Sequence, residues 1–521
     1  MRIIITFVAL ASLANGAALS LAAPVPVPLP VQMLAPVPVR APLPVDPEDR
    51  DASNPRNIRW AWPVIEWIGI GPRATVVELG AMPRPPETDE ATITIVVRNA
   101  GASPAERLHI AGFDAMPDGG ILPPLAAGER YEMTFTMPTA EIPYGTRIML
   151  FEPGLSSAEQ APVLDVFDLH GPAAHRLGLV ATAQSWIDGD ERFGSMARRF
   201  RASLEDLHTL YAGQGVIGMP EHGGDPTRPA IPDRFRLEHI ELFDDEAGRP
   251  ALFDHHPDLD LVIAVNEGGP LCCFWLADGD HERHHSIGHN FLNTNFGAPR
   301  GIWSNWGEQA LWHEIFHYRG VPDFYIYNIP EGALPGRSST GWKLGQSPTT
   351  AYLTREIMND TYTAPEISWL TATIAISKRG AARVGACENP EHEFGHMWRW
   401  VPGDLSVEVA SETGAIEAVR IYRAVPGRGR DARVQRISED AAPVYAAQGA
   451  KVTLDGDAMN AAARRAERSL WVLIEADRAT DGGIETRWTI LTLLEINEAY
   501  ARGNKEAWTF AVRFEDMFEP R

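Results

Sequence analysis

The sequence predicts a multidomain protein in which a mixed α/β (α+β) block lies between two all-β sandwiches. Three observations carry this. A chain of 521 residues, 45% hydrophobic and 22% charged, has room for roughly three domains of ordinary size. Short alternating strands separated by turns fill the stretches on either side of the middle. The middle itself, from about His170 to Ala386, carries longer strand and helix patterns.

Residues 1–22 have the layout of a secretory signal: Arg2 as a minimal charged start, Ile3 to Leu13 as an apolar core, and Ser20-Leu21-Ala22 as a small-residue cleavage site. The competing reading, an N-terminal core helix, is disfavoured by the proline-rich segment that follows. The apolar run is too short to span a bilayer, and no later stretch approaches eighteen uninterrupted apolar residues. Export to the extracellular space or the periplasm, with no membrane anchor, is therefore expected. Residues 23–57 read as a linker. From Pro24 to Pro44 proline recurs almost every second residue, which favours an extended polyproline II spacer of about 3.1 Å per residue.

Residues 58–168 form the first expected sandwich. Strands at Ala91 to Arg98 and Tyr131 to Met137 flank the turn signals Asn99-Ala100-Gly101 and Leu125-Ala126-Ala127-Gly128. In the block at 170–386, strands are expected at Leu177 to Trp186, Phe235 to Phe243 and Leu259 to Val265, with helices at Phe193 to Ala212 and Ala364 to Ala382. Residues 387–404 are a junction. From 405 to 521 strands return at Leu405 to Val409, Ala418 to Ala424, Lys451 to Leu454, Leu470 to Glu475, Arg487 to Leu494 and Ala507 to Phe514, which reads as a second sandwich.

Composition narrows the function classes. A formal charge of −23 and a pI near 5.1, with no basic stripe, argue against a nucleic-acid partner. Cys272, Cys273 and Cys387 are too few for a disulfide framework. The first two lie in an apolar, strand-like run and are assigned to packing.

The block contains His313-Glu314-Ile315-Phe316-His317-Tyr318-Arg319-Gly320-Val321-Pro322-Asp323. On a helix, positions i and i+4 share a face, so His313 and His317 can bind one metal ion while Glu314 reaches a water bound to it. Gly320 gives the backbone freedom to turn, and Asp323 can return as a third ligand. Three protein ligands leave a fourth position for water, the open arrangement of a catalytic zinc. Asn305 and Glu308 have capping-box spacing for the start of this helix.

Rivals exist in the same chain. His392-Glu393-Phe394-Gly395-His396 is a second HExxH, but glycine and an acidic residue do not follow it at the same offsets. A third ligand from a later glutamate, Glu356 or Glu331, is another reading of the first motif. His281, His284, His285 and His289 are open to three readings: a second metal site, an edge-strand loop flanking the cleft in which His289 touches substrate, or a solvated polar loop.

The extended motif resembles that of the metzincin clan of zinc metallopeptidases, in the variant where aspartate replaces the third histidine. HEIFHYRGVPDFY is similar to immune inhibitor A-type and snapalysin-like secreted bacterial peptidases. The resemblance implies a zincin fold, zinc held by His313, His317 and Asp323, and Glu314 as general base. It also implies a methionine turn beneath the metal, for which Met358 in Glu356-Ile357-Met358-Asn359-Asp360 has the right place. Some relatives carry a tyrosine two residues after that methionine; here Asp360 stands there, and Tyr362 is the nearest candidate for a substrate or transition-state contact. Arg319 stands where an apolar residue is usual. The flanking sandwiches resemble immunoglobulin-like modules, the first of the cell-adhesion-related type. The whole then reads as a secreted zinc endopeptidase acting on a protein or peptide substrate, with its sandwiches suited to surface or matrix contact. The alternative is a non-catalytic secreted binding or adhesion protein that keeps a zincin fold.

Overall fold

The computed structural model describes residues 60–71, 88–152, 162–171, 174–193, 195–213, 216–217, 231, 233–243, 259–265, 274–276, 285–289, 307–319, 321, 324–328, 342–343, 346, 353–359, 366–377, 401–425, 433–436, 444–446, 449–455 and 471–519. The expected signal and proline-rich linker, the second HExxH, the three cysteines and Glu331 lie outside them. Among the described residues the protein is β-rich, with several sheets and few helices.

Among the described residues seven strands build the first module: β1 (Pro63–Gly71), β2 (Glu90–Asn99), β3 (Leu108–Ala111), β4 (Ile121–Leu122), β5 (Arg130–Pro138), β6 (Arg147–Phe151) and β7 (Val163–Asp168). They form two antiparallel sheets, ordered β1-β2-β5 and β4-β3-β6-β7. The expected alternation is clearest in β5, where Met133, Phe135 and Met137 point inward and Glu132, Thr134 and Thr136 outward. The apolar faces meet in a core that includes Ile65, Ile68, Ile93, Ile95, Ile110, Ile148, Leu150 and Phe167. The expected turn after β2 is tied down by buried Asn99. Its Oδ1 accepts from the Trp62 and Gly101 backbones at 2.9 and 3.1 Å, and its Nδ2 donates to the Ser103 carbonyl at 2.8 Å. Gly101 is required there, because a Cβ would lie 2.1 Å from the Trp60 carbonyl oxygen.

The central block comprises β8 (His175–Thr182), α1 (Ala183–Phe193), α2 (Met196–Tyr211), β9 (Val216–Ile217), β10 (Phe235–Phe243), β11 (Leu261–Val265), β12 (Phe274–Leu276), β13 (His285–His289), α3 (Gly307–Tyr318), β14 (Ile367–Ser368) and α4 (Trp369–Ser377). Its main sheet runs β10-β8-β11-β13-β12. The first four strands are parallel and β12 is antiparallel at the edge. All eight residues of β8 are buried, as befits a strand covered on both faces. The expectation of a strand through Trp186 is corrected here: β8 stops at Thr182 and Trp186 lies in α1. The apolar run continues, but as the buried side of a helix. α2 starts on Ser195, whose side chain accepts from the Arg198 backbone at 3.2 Å. It buries Phe200, Leu204, Leu207 and Tyr211 at helical spacing.

The third module contains β15 (Asp404–Ala410), β16 (Ile416–Val425), β17 (Arg433–Arg436), β18 (Val444–Ala446), β19 (Gly449–Asp455), β20 (Trp471–Thr480), β21 (Gly483–Thr492), α5 (Leu493–Ala501 in the chain) and β22 (Ala507–Arg513). Two four-stranded sheets, β18-β19-β15-β22 and β17-β16-β20-β21, make it a sandwich. The strand expected to reach Leu494 ends at Thr492, where a capping box between Thr492 and Glu495 starts α5. α5 lies against α4.

The modules are joined by buried contacts. On β1 the face away from the first sandwich core puts Trp67 into the core of the central block, together with Leu177, Leu237 and Phe200. The Trp67 and His239 rings are 5.6 Å apart. Arg98 on β2 pairs with Asp190 on α1 at 2.6 Å. Asp165 on β7 accepts from the Ile65 backbone at 2.8 Å and pairs with Arg201 on α2 at 2.5 Å. Arg98, Asp190 and Asp165 are buried and each faces a group of the opposite type, although burial raises the Asp190 carboxyl to about 7 against the pull of Arg98.

Candidate metal and catalytic site

α3 carries the HExxH motif on a helix whose Leu311, Ile315 and Phe316 are fully enclosed. Trp312 donates its indole N–H to the Ser203 carbonyl on α2 at 3.1 Å, which fixes the helix against its neighbour. On its other flank α3 lies against β12 and β13. His313 is buried and Glu314 half-buried. His317 follows one turn later on the same face of the helix. Its side chain lies outside what is described, as do Asp323 and Tyr362. His289 ends β13, which pairs with β11 on one side and β12 on the other and so is an inner strand rather than the expected edge-strand loop; its side chain is outside the description, as are His281 and His284.

Two of the expected residues are brought together through a backbone group. His313 Nδ1 lies 3.0 Å from the carbonyl oxygen of Ile357, the residue before Met358. A carbonyl can only accept, so the proton sits on Nδ1 and the lone pair on Nε2. That is the form in which a neutral imidazole binds a metal, with its other nitrogen oriented by a backbone acceptor. Met358 is fully buried. Its carbonyl accepts from the Phe324 backbone N–H at 2.8 Å, which holds the segment directly after position 323 against the turn.

Glu356 does not serve as the later-glutamate ligand considered from sequence. Both of its oxygens are engaged by the turn, the end of β14 and α4: Oε2 accepts from the Met358 N–H at 2.6 Å, and Oε1 from the Ser368 N–H at 3.3 Å and the Thr371 hydroxyl at 2.6 Å. Burial pushes its carboxyl up to about 7, against the lowering effect of these donors.

Arg319, out of place by the usual motif, is fully buried. Its Nε lies 2.5 Å from Asp233 Oδ2, and its Nη2 donates to the Ala375 carbonyl at 3.3 Å. Beside this pair the Tyr318 hydroxyl is 2.9 Å from His175 Nδ1. Burial, then the Arg319 charge, lowers His175 to about 4. Tyr325 is exposed, and its ring lies nearly parallel to that of His313, 6.4 Å away at 9°. Sequence reasoning assigned no role to Tyr325 or to the Arg319–Asp233 pair. The first has only its nearness to the motif as a signal, and the second links distant segments.

Among the described residues one group, His170, Glu205 and His208, could hold a metal ion, with ligand atoms all within 4.8 Å of one another. His170 Nε2 is 2.7 Å and His208 Nδ1 3.3 Å from Glu205 Oε1. The Phe235 backbone donates to His208 Nε2 at 2.9 Å, which places the ring proton on Nδ1 in the neutral form. Ligation through Nδ1 would require that proton to leave or the bond from Phe235 to break. Sequence distance between His170 and α2 hid this group, although Glu205 and His208 share a helix face.

No family model matches the chain, and no curated protein matches it. Among solved structures, a crystal structure of a Bacteroides uniformis β-glucuronidase is 10% identical, with 87% of this chain and 63% of that one covered at a TM-score of 0.15. A calcium-binding mutant of Bacteroides uniformis β-glucuronidase 2 is also 10% identical, with 87% and 62% covered at a TM-score of 0.13. The chain thus spans less than two thirds of the length of these structures, and likeness of this size carries no argument about fold or activity.

Proposed function

We propose that the chain is a secreted, zinc-dependent endopeptidase with a metzincin-like catalytic block and two immunoglobulin-like accessory sandwiches. The observation that carries this reading is the bond from His313 Nδ1 to the Ile357 carbonyl, which joins the HExxH helix to the turn bearing Met358. The motif helix meets there the turn that the resemblance implies for it. His313, His317 and Asp323 would hold the zinc. Bound zinc would lower the pKa of a water to about 7 and polarise the scissile carbonyl. Glu314 would serve as the general base toward that water and would return the proton to the leaving amine. A peptide substrate suits β12, the edge strand among the described residues, beside α3, since an extended chain can add to a sheet edge through its backbone. No helix among the described residues is long and apolar enough to cross a membrane.

The test is the zinc content and peptide-library hydrolysis of the purified protein beside Glu314→Ala and Glu393→Ala. Bound zinc, with hydrolysis lost in the first variant and kept in the second, is expected. Hydrolysis lost only in Glu393→Ala would move the reaction to residues 392–396. Zinc without hydrolysis of any peptide by the unaltered protein would favour the binding-protein alternative.

A further inference from the structure

A buried carboxylate organises the turn that meets His313. Glu356 is fully enclosed, and its side chain gathers three donors from two elements: the Met358 N–H within the turn, and the Ser368 N–H and Thr371 hydroxyl at the start of α4. Its backbone oxygen accepts from the Asn359 N–H at 2.9 Å, and the next residue's N–H donates to the Glu366 carbonyl at 2.8 Å. Ser368 in turn accepts from the Thr371 backbone at 3.1 Å, as a helix N-cap does. The Ile357 peptide is thus held from both sides, leaving its carbonyl directed at His313 Nδ1. A carboxylate is needed because only an acceptor with two oxygens can serve donors on both elements.

We propose that Glu356 is a positioning residue for the metal site: by clamping the turn to α4 it aims the Ile357 carbonyl that keeps the His313 proton on Nδ1 and presents Nε2 to the metal. This rests on the reading of His313 as a zinc ligand. Glu356 touches neither metal nor substrate in this role and acts only through Ile357 and His313. Groups that orient a ligating histidine typically contribute 10- to 100-fold in metal affinity.

The test uses the full chain with Glu356→Gln, Thr371→Val, His313→Ala and, as a control for lost stability, Ile374→Val in the same helix α4. Zinc affinity is measured by competition with a chelator, and the tautomer of His313 by ¹⁵N spectra of the imidazoles in metal-free protein. Glu356→Gln is expected to weaken zinc binding by about tenfold or more and to mix the two tautomers of His313. Thr371→Val should do the same to a smaller degree, while Ile374→Val leaves both readouts unchanged. Unchanged affinity and tautomer in Glu356→Gln, or in Thr371→Val should Glu356→Gln fail to fold, would overturn the inference alone. Unchanged zinc affinity in His313→Ala, or no zinc binding by the unaltered protein, would overturn the zinc reading and the inference together.

Discussion

Arg319 and Asp233 form an ion pair with no access to water, Nε to Oδ2 at 2.5 Å, immediately beyond the helix that carries His313 and His317. The pair ties the end of α3 to the segment entering β10. Removing one partner leaves the other charge buried alone, so Arg319→Met should destabilise the protein by about 3–5 kcal/mol. Adding Asp233→Asn should recover much of that loss. Urea unfolding of the two singles and the double gives the coupling; additive single effects would show that the pair is not a unit.

Stability should fall in acid because of buried histidines. Burial lowers His208 from 6.5 to about 4, and His175 likewise. Their folded-state values lie below the unfolded ones, so their contribution is complete above pH 6.5 and is lost as pH falls toward 4. By pH 5 each histidine has cost about 2 kcal/mol relative to neutral pH. Glu356 opposes this: its raised value, about 7 against 4.5, makes its contribution fall as pH rises through that interval. Urea midpoints from pH 7.5 to 5 should therefore drop less in His208→Gln than in the unaltered protein, and more in Glu356→Gln.

Tyr325 presents an exposed ring beside that of His313, where, under the proposed function, it would meet substrate without holding the metal. Tyr325→Ala should raise KM several-fold on peptide substrates and leave zinc affinity unchanged. A fall in zinc binding instead would assign the ring to the support of His313.

Glu314→Gln keeps the shape of the side chain and removes the proposed base. The variant should retain zinc while kcat falls by roughly 10²- to 10⁴-fold. His313→Ala, by contrast, should lose the metal, which chelator competition reads directly.

Much of the architecture was legible because its causes are local. Phe235–Phe243 is read as a strand from its own residues, and β5 from its alternation. α5 was missed although Thr492 and Glu495 form a visible capping box, because the apolar run around Leu491 continued the preceding strand. Met358 could be sought at its place because the resemblance carried by the motif implies a methionine turn, and the structure brings His313 to the carbonyl just before it. The role of Glu356 could not be read in this way. It depends on Ser368 and Thr371 returning to the turn, and no spacing rule links those residues. Arg319 looked anomalous for the same reason, since its partner Asp233 comes from before β10.

The shared seam at Trp67 and His239 bears on how such a chain can change over generations. The sandwich and the central block are separate in sequence pattern, yet β1 fills space in both cores. A larger or smaller ring at position 67 would have to be matched on β10 and α2. The two segments should therefore vary in concert among descendants of this sequence, and the first sandwich could not be exchanged for an unrelated one by recombination at its borders without a new surface to receive it.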